Sequence, residues 1–398
     1  MNYKTRSLII GALCAASFLN LTEKTAADIV YSTEDLRTVL DHMSGLKSIS
    51  QSQVNKYDQN SDQTINIIDC ILLKNKIVET DNSIYVSTAE ELCRALSDAK
   101  AGDIIKVMPG IYNYHDYQNA QKFFSDSDGT AQNPITLTAT DKDNPPVLTG
   151  INYENGYVLH ITGDYWIIDG IKTEKSQKGI VLDNSDYTVI TNCEISGTGS
   201  EGVHFRDGSS YCKIENSYIH DTGLISPKYG EGVYVGSAYS TTGYNYKCDY
   251  NKIKSCTFKN VAAEHVDIKE YTTGTEVIDC IFHGEGICGE NYAGSFLDIK
   301  GNDCLVYGNT GYRENNKNIV AAFELHEQVD GWGYNAVFEN NTLYLDREYG
   351  EIDTNRRIYV VDGYFSTFTV KNNMVDYGSK LTTCTKDYLK GKNITILT

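Results

Sequence analysis

The sequence predicts an all-β chain folded as a right-handed parallel β-helix and preceded by a small α-helical module that carries a calcium loop. Three observations lead there. Turn–strand segments share one frame from Tyr157 onward: Asn192-Cys193, Asn216-Ser217, Ser255-Cys256, Asp279-Cys280, Gly308-Asn309, Asn340-Asn341 and Asn372-Asn373. Their spacing varies from 24 to 39 residues, too irregular for helical repeats but suited to a coil whose loops vary on one side. Between them lie short strands in which apolar and charged residues alternate, as in Val266-Asp267-Ile268-Lys269 and Leu297-Asp298-Ile299-Lys300. Prolines number only 5, and Gly/Asn turns recur, which fits a solenoid of strands. A β-propeller is the structural alternative, but most of these coils are too short for four-stranded blades.

In chain order, residues 1–27 read as a secretion signal: Lys4 and Arg6, an apolar run from Ser7 to Leu21, then small residues ending at Ala26-Ala27. No later stretch has the length of a membrane span, so a secreted, extracellular protein is expected. A net charge of −18 and pI near 4.8 argue against nucleic acid as partner and suit the binding of divalent cations. Residues 28–79 form the helical module. Its strongest line runs from Asp58 to Asp69 and sets Asp58, Asn60, Asp62, Thr64, Asn66 and Asp69 at positions 1, 3, 5, 7, 9 and 12 of a calcium loop. Gln63 replaces the usual turn glycine and Asp69 the usual bidentate Glu. After a boundary near residues 79–83, Ser87 or Thr88 caps a short amphipathic helix with Glu90 and Glu91 in its first turn; such a helix would close the open end of the solenoid. The β-helix is expected over 84–378, its first strands beginning at Ile104 and Pro134, and 379–398 remain as a tail or cap. Asn309, Asn341 and Asn373 recur at one place and predict a stacked amide ladder. Cys193, Cys256 and Cys280 also share one repeat position. They read as stacked interior thiols in preference to a Cys256–Cys280 bridge.

If the alternating strands stack in register, their outward residues form columns spaced by about 4.8 Å per strand. One column reads His204, Tyr234, Asp267, Asp298, Glu324. A second reads Arg206, Gly236, Lys269, Lys300, His326. A third, just before the strands, holds Glu201, Glu231 and Glu264. Such a face suits proton abstraction next to a carboxylate. That reaction needs the carboxylate neutralised, which a cation held by Asp/Glu can do, and a lysine whose pKa is lowered. Stacking Lys269 on Lys300 favours the neutral form of one of them, whereas Glu264 and Asp267 favour the charged form unless a cation offsets them. Other readings remain open at this point. Arg206, Glu324 and His326 taken singly suit a salt-bridge ladder. Asp267 and Asp298 could be the acid pair of a metal-independent glycoside hydrolase on plant-wall polysaccharide. Trp332, in Asp330-Gly-Trp-Gly-Tyr334, could stack on sugar in a noncatalytic carbohydrate-binding β-helix.

The module resembles a dockerin. Its halves would be Glu34–Gly45 and Asp69–Ile77, and Lys24 and Ala26 stand where the first loop needs ligands. The resemblance implies calcium binding by the second loop and a cohesin-bearing scaffold protein, as in cellulosomes. Glu264–Lys269 and Gly294–Asn309, with Gly102–Tyr112 and Asn133–Leu137 upstream, resemble the alginate lyase and chondroitinase B family of β-helical polysaccharide lyases. The resemblance implies calcium as cofactor, with Glu264 a ligand, Lys269 the base, and Lys300 where that family has an arginine acid; Ala262 stands in place of a second calcium-binding Glu. A pectate lyase family with an Asp-rich calcium site and a lysine base is similar at Asp267 and Lys269. The expectation is therefore a calcium-dependent lyase of an acidic plant-wall polysaccharide, with pectate favoured because a dockerin implies a plant-wall degrader. Its catalytic residues are Lys269, Lys300, His326 and Arg206, and its metal ligands Glu231, Glu264, Asp267 and Asp298.

Overall fold

The computed structural model describes residues 31–80, 82–345, 359–364, 367–375 and 395–397, which fall into two compact units divided between Asn82 and Ser83. The expected signal and the first-loop positions Lys24 and Ala26 lie outside the described residues.

The first unit holds helices α1 (Thr33–Met43), α2 (Gln51–Tyr57) and α3 (Ile67–Thr80). Ser32 and Asp35 form a capping box on α1, and Ser50 and Gln53 one on α2, so the orphan amides of both first turns are satisfied locally. Val39, Tyr57, Cys70 and Leu73 make a small core.

The second unit opens with α4 (Ala89–Ser97), capped by Thr88 with Glu91 reaching back. Its buried Leu92 and Leu96 join the main core, and Ser125 Oγ donates to Leu96 O at 2.6 Å, so the helix covers the interior of the first coil. Among the described residues all strands of this unit pair in parallel, in three sheets of twelve, ten and nine strands. This is the right-handed β-helix. The nine-stranded sheet carries the site, and its strands in chain order are β1 (Phe123–Ser125), β2 (Tyr157–Ile161), β3 (Lys178–Asp183), β4 (Val203–Arg206), β5 (Val233–Val235), β6 (Val266–Ile268), β7 (Leu297–Ile299), β8 (Ala321–His326) and β9 (Tyr359–Tyr364). The tail expected over 379–398 contributes Thr395–Leu397 as the last strand of the twelve-stranded sheet.

The corner between the twelve- and ten-stranded sheets is a two-residue turn in eight successive coils. Its first residue is left-handed each time: Gly170, Asn192, Asn216, Ser255, Asp279, Gly308, Asn340 and Asn372. Gly, Asn and Asp tolerate that conformation best, which is why those residues recur. The second turn residue points inward. Asn341 Oδ1 accepts from the backbone and side-chain amides of Asn309 at 3.0 and 2.9 Å, and Asn373 serves Asn341 in the same way, so the asparagine ladder is present and fully buried. The nine described cysteines, Cys193, Cys256 and Cys280 among them, are free thiols. At the corner between the nine- and twelve-stranded sheets Tyr165, Tyr187, Tyr211 and Tyr250 all take left-handed φ and stack ring on ring at 4.8–5.2 Å.

Candidate active site

Parallel pairing fixes the columns. His204 stands opposite Tyr234, Tyr234 opposite Asp267, Asp267 opposite Asp298, Asp298 opposite Glu324, and Glu324 opposite Asp362. Gly202 N donates to Glu231 O and Gly232 N to Glu264 O, which stacks the glutamates of the third column. Val266 and Ile268 fill the coil interior, as the alternation requires. The outward residues are also shielded from solvent. Asp267 is 3 % exposed and Asp298 and Lys300 8 % each. Long connections wall them in: residues 221–232 before β5, 284–296 before β7, and 236–251 after β5. The last of these is fastened by Glu270, whose Oε1 accepts from Tyr239 N at 2.5 Å. Gly236 has φ +90°, and a side chain there would meet Thr272 Cγ2 at 2.7 Å and Lys269 Cβ at 3.2 Å, so glycine at this place in the basic column leaves both their room.

Asp267 is the hub. Its Oδ2 lies 2.6 Å from Lys269 Nζ and its Oδ1 3.2 Å from Lys300 Nζ. Lys300 also bonds Asp298, whose other oxygen is 2.9 Å from His326 Nδ1. Burial works to lower both lysines, but Asp267 and Asp298 more than offset it and hold both ammonium groups above the ordinary lysine value. Burial would likewise raise Asp298, yet Lys300 and His326 hold it well below the carboxylate range. Oxygens of Glu231, Glu264 and Asp267 come within 4.8 Å of one another. Burial first, then charged neighbours, pushes Glu264 to about 8 and Glu231 well above its usual value, and Glu231 Oε2 is buried with no hydrogen-bond partner. Three converging carboxylates, one of them orphaned, fit a hard divalent cation such as calcium. A second group, Asp298, Glu324 and His326, also lies within 4.8 Å, with Asp298 bonded to Lys300 and His326 and no orphaned carboxylate oxygen among the three. Burial and Asp298 push Glu324 to about 7.

Of the expected site residues, β5–β8 and the turns around them bring together Glu231, Glu264, Asp267, Asp298, Lys269, Lys300 and His326. Arg206 stands apart, two strands from Lys269, with Nε and Nη2 both 2.7 Å from Asp183. Tyr234 was placed in the column but given no role. Its ring lies 4.8 Å from Lys269 Nζ, and burial, Asp267 and Glu231 keep its hydroxyl protonated. Trp332 packs edge-on against Tyr271, 5.4 Å away, and Tyr271 against Tyr246.

In the first unit, oxygens of Asp58, Asp62 and Asp69 converge within 4.8 Å. Gln63 takes the left-handed turn (φ 63°) that a glycine would adopt without strain. Thr64 Oγ1 donates to Asp62 Oδ1, while Asn60 and Asn66 bond Asp62 through their side-chain amides. Asn66 also uses its amide oxygen to accept from Ile68 N at the start of α3.

Residues 71–232 match the model of the Pel9A-like right-handed β-helix region. Among solved structures, the alginate lyase of Paenibacillus sp. str. FPU-7 is 40% identical, with 79% of this chain and 99% of that one aligned at a TM-score of 0.70. Pectate lyase Pel9A (14% identity, 76% and 79% of the two chains, TM-score 0.51) and a rhamnogalacturonan lyase (14%, 74% and 79%, 0.52) share the fold. No curated protein matches the chain.

Proposed function

Since the chain belongs to the right-handed β-helix polysaccharide lyases that include the Paenibacillus alginate lyase, we propose that it cleaves a uronic-acid polymer by calcium-dependent β-elimination. The observation that carries this is Asp267, shared between a carboxylate cluster suited to a cation and two stacked lysines. Alginate is the first substrate to test because the 40% identical relative is an alginate lyase. Pectate, which a dockerin-like module favours, comes second.

In the elimination, a base takes the proton on C5 of a uronate, the C5–H electron pair forms the C4=C5 double bond, and the C4–O bond breaks to release the preceding sugar. Bound at Glu231, Glu264 and Asp267, calcium would supply positive charge that acidifies the C5 proton by neutralising the neighbouring carboxylate. Lys269 is the base. Asp267 and Glu231 drawn to a cation would leave only Asp298 opposing burial, which shifts Lys269 toward the free amine that abstraction needs. Lys300 and Tyr234 flank it on adjacent strands and remain protonated, one to steady the sugar carboxylate and one to return a proton to the leaving oxygen. His326 orients Asp298 against Lys300. The hydrolase alternative is weaker on this geometry. Asp298 is held ionised and Asp267 spends both oxygens on lysines, so the pair lacks the protonated carboxyl that glycoside hydrolysis requires.

The first unit is read as a dockerin-type calcium module that attaches a secreted enzyme to a cohesin-bearing scaffold, with Asp58–Asp69 as its cation loop. The test of the whole reading is the ultraviolet absorbance of the unsaturated product on alginate, pectate and glucuronan, with calcium and with chelator. A rise that the chelator stops supports it. New reducing ends without that absorbance would move the function to hydrolysis.

A further inference from the structure

The site sheet carries a second group of charged residues, several strands from the cluster just described. Lys122, just before β1, places Nζ 2.5 Å from His160 Nδ1, 4.8 Å from the ring centre of Phe124 and 5.8 Å from that of Tyr157. His160 turns its Nε2 to Asp183 at 2.8 Å, and Asp183 holds Arg206 through both oxygens. The Arg206 guanidinium lies 4.4 Å from the ring of Tyr244.

Two features set this group apart. Along the same face Lys178 has Glu201, Lys269 has Asp267 and Lys300 has Asp298, whereas Lys122 has no carboxylate partner among the described residues. Burial and the Arg206 charge push its pKa down against the weaker pull of Asp183, so its charge is incompletely compensated. Arg206 is also 93% buried, yet its Nη1 has no protein partner among the described residues, while Asp183 and Tyr157 occupy its other nitrogens. Two cations with spare capacity, set among aromatic rings of which Phe124 is 37% exposed, have the chemistry that recognises an acidic sugar: charge for the carboxylate and flat apolar surface for the ring. In a chain of net charge −18 such a place would not gather anions by long-range attraction; it has to be built locally.

We propose that Lys122 and Arg206, with Phe124, Tyr157 and Tyr244, form a distal subsite that grips carboxylates of the polyuronate whose cleavage was assigned above to Lys269. The inference rests on that reading for the identity of the ligand. Arg206 is two strand steps from Lys269, about 10 Å, and Lys122 five steps, about 24 Å. Only an oligomer of several sugars can lie at Lys269 and reach Lys122. The subsite therefore selects long chains and favours attack within the polymer over trimming at its ends.

The experiment uses the full-length protein with Lys122→Met and Lys122→Arg, each checked by thermal melting. Kinetics are compared on polymeric alginate and on the shortest oligosaccharides that are cleaved. Lys122→Met should lower kcat/KM on the polymer about tenfold more than on the short oligosaccharides, chiefly through KM, and Lys122→Arg should restore most of the loss. Equal losses on long and short substrates, or no loss on the polymer, would overturn the proposal. Binding is read separately as retardation in alginate-containing gels in a Lys269→Ala background. If no polymer is cleaved at all, the lyase reading fails, and retardation that Lys122→Met leaves unchanged then overturns the subsite as well.

Discussion

Replacing Asp267 with Asn removes a single charge where two ammonium groups and two more carboxylates converge. Asp267 is 3% exposed and lies 2.6 and 3.2 Å from the two lysines, so the interaction is poorly screened. Removing one partner of a buried ion pair costs about 3–5 kcal/mol. Lys300 keeps Asp298, and Glu231 and Glu264 are relieved of a like charge, so the loss should fall near the lower end, about 3 kcal/mol at neutral pH. The pH dependence carries the sharper test. In the native protein Lys269 is held above its usual 10.5, so its stabilisation is full below that pH and is lost as pH rises through the higher folded value. In the variant only Asp298 and Glu231 oppose burial, so the folded value moves down from its native position. Less of this stabilisation is then lost as pH rises above 10.5, and the deficit relative to the native protein shrinks there. Urea denaturation followed by circular dichroism near neutral pH and again above pH 11 measures it. A second readout is kinetic: the acid limb of kcat/KM should move to lower pH, while half-maximal activity needs more calcium. A variant as stable as the native protein at neutral pH, or a deficit that stays constant into alkaline solution, would refute the shared-carboxylate account.

Lys269→Ala should reduce the rate of unsaturated product formation by about 10²–10⁴-fold, with a loss of stability no larger than that of Asp267→Asn because Asp267 retains Lys300. Glu264, pushed to about 8 from 4.5, binds a proton in the folded state that the unfolded chain has released. In chelator, stability should therefore fall as pH rises between those values, by at most about 5 kcal/mol, and Glu264→Gln should flatten the slope in thermal melts. Asn341→Ala strips hydrogen bonds from Asn309, Val306 and Asn373 in the interior and should cost about 3 kcal/mol in urea denaturation without altering kcat. A loss below about 1 kcal/mol would mean that water or a local shift satisfies those groups.

The columns were legible because two constraints act together. Alternation decides which side chains leave the coil, and the recurrent Asn, Asp, Ser and Gly corners set how one coil lies over the next, so Asp267 had to meet Asp298. The asparagine ladder was readable for the same reason. What the residues could not tell was how deeply the face is enclosed, because the walls come from connections of irregular length with no shared frame. Tyr244, Tyr246 and Tyr239 sit in one such connection, and nothing in their sequence ties them to Arg206 or Glu270. Lys122 and His160 are not legible for a related reason: Phe123-Phe124-Ser125 shows no alternation of charge, and Asp183, the partner of His160, lies outside the columns drawn from the later coils. Arg206 shared the frame of the basic column, but frame alone does not say which carboxylate a guanidinium will take.

The two-residue corner also bears on how such a chain can change over time. Eight coils in a row admit no extra residue there, because insertion would break the left-handed turn and the inward ladder behind it at once. Among the fully described connections leading into the nine-stranded sheet, lengths range from three residues (175–177) to thirteen (284–296) without disturbing either. Insertions and deletions are thus steered to the strip of surface that borders the reaction centre. A lineage built on this coil can remodel what it grips while its spine stays fixed, and new specificity need not wait for compensating changes in the core.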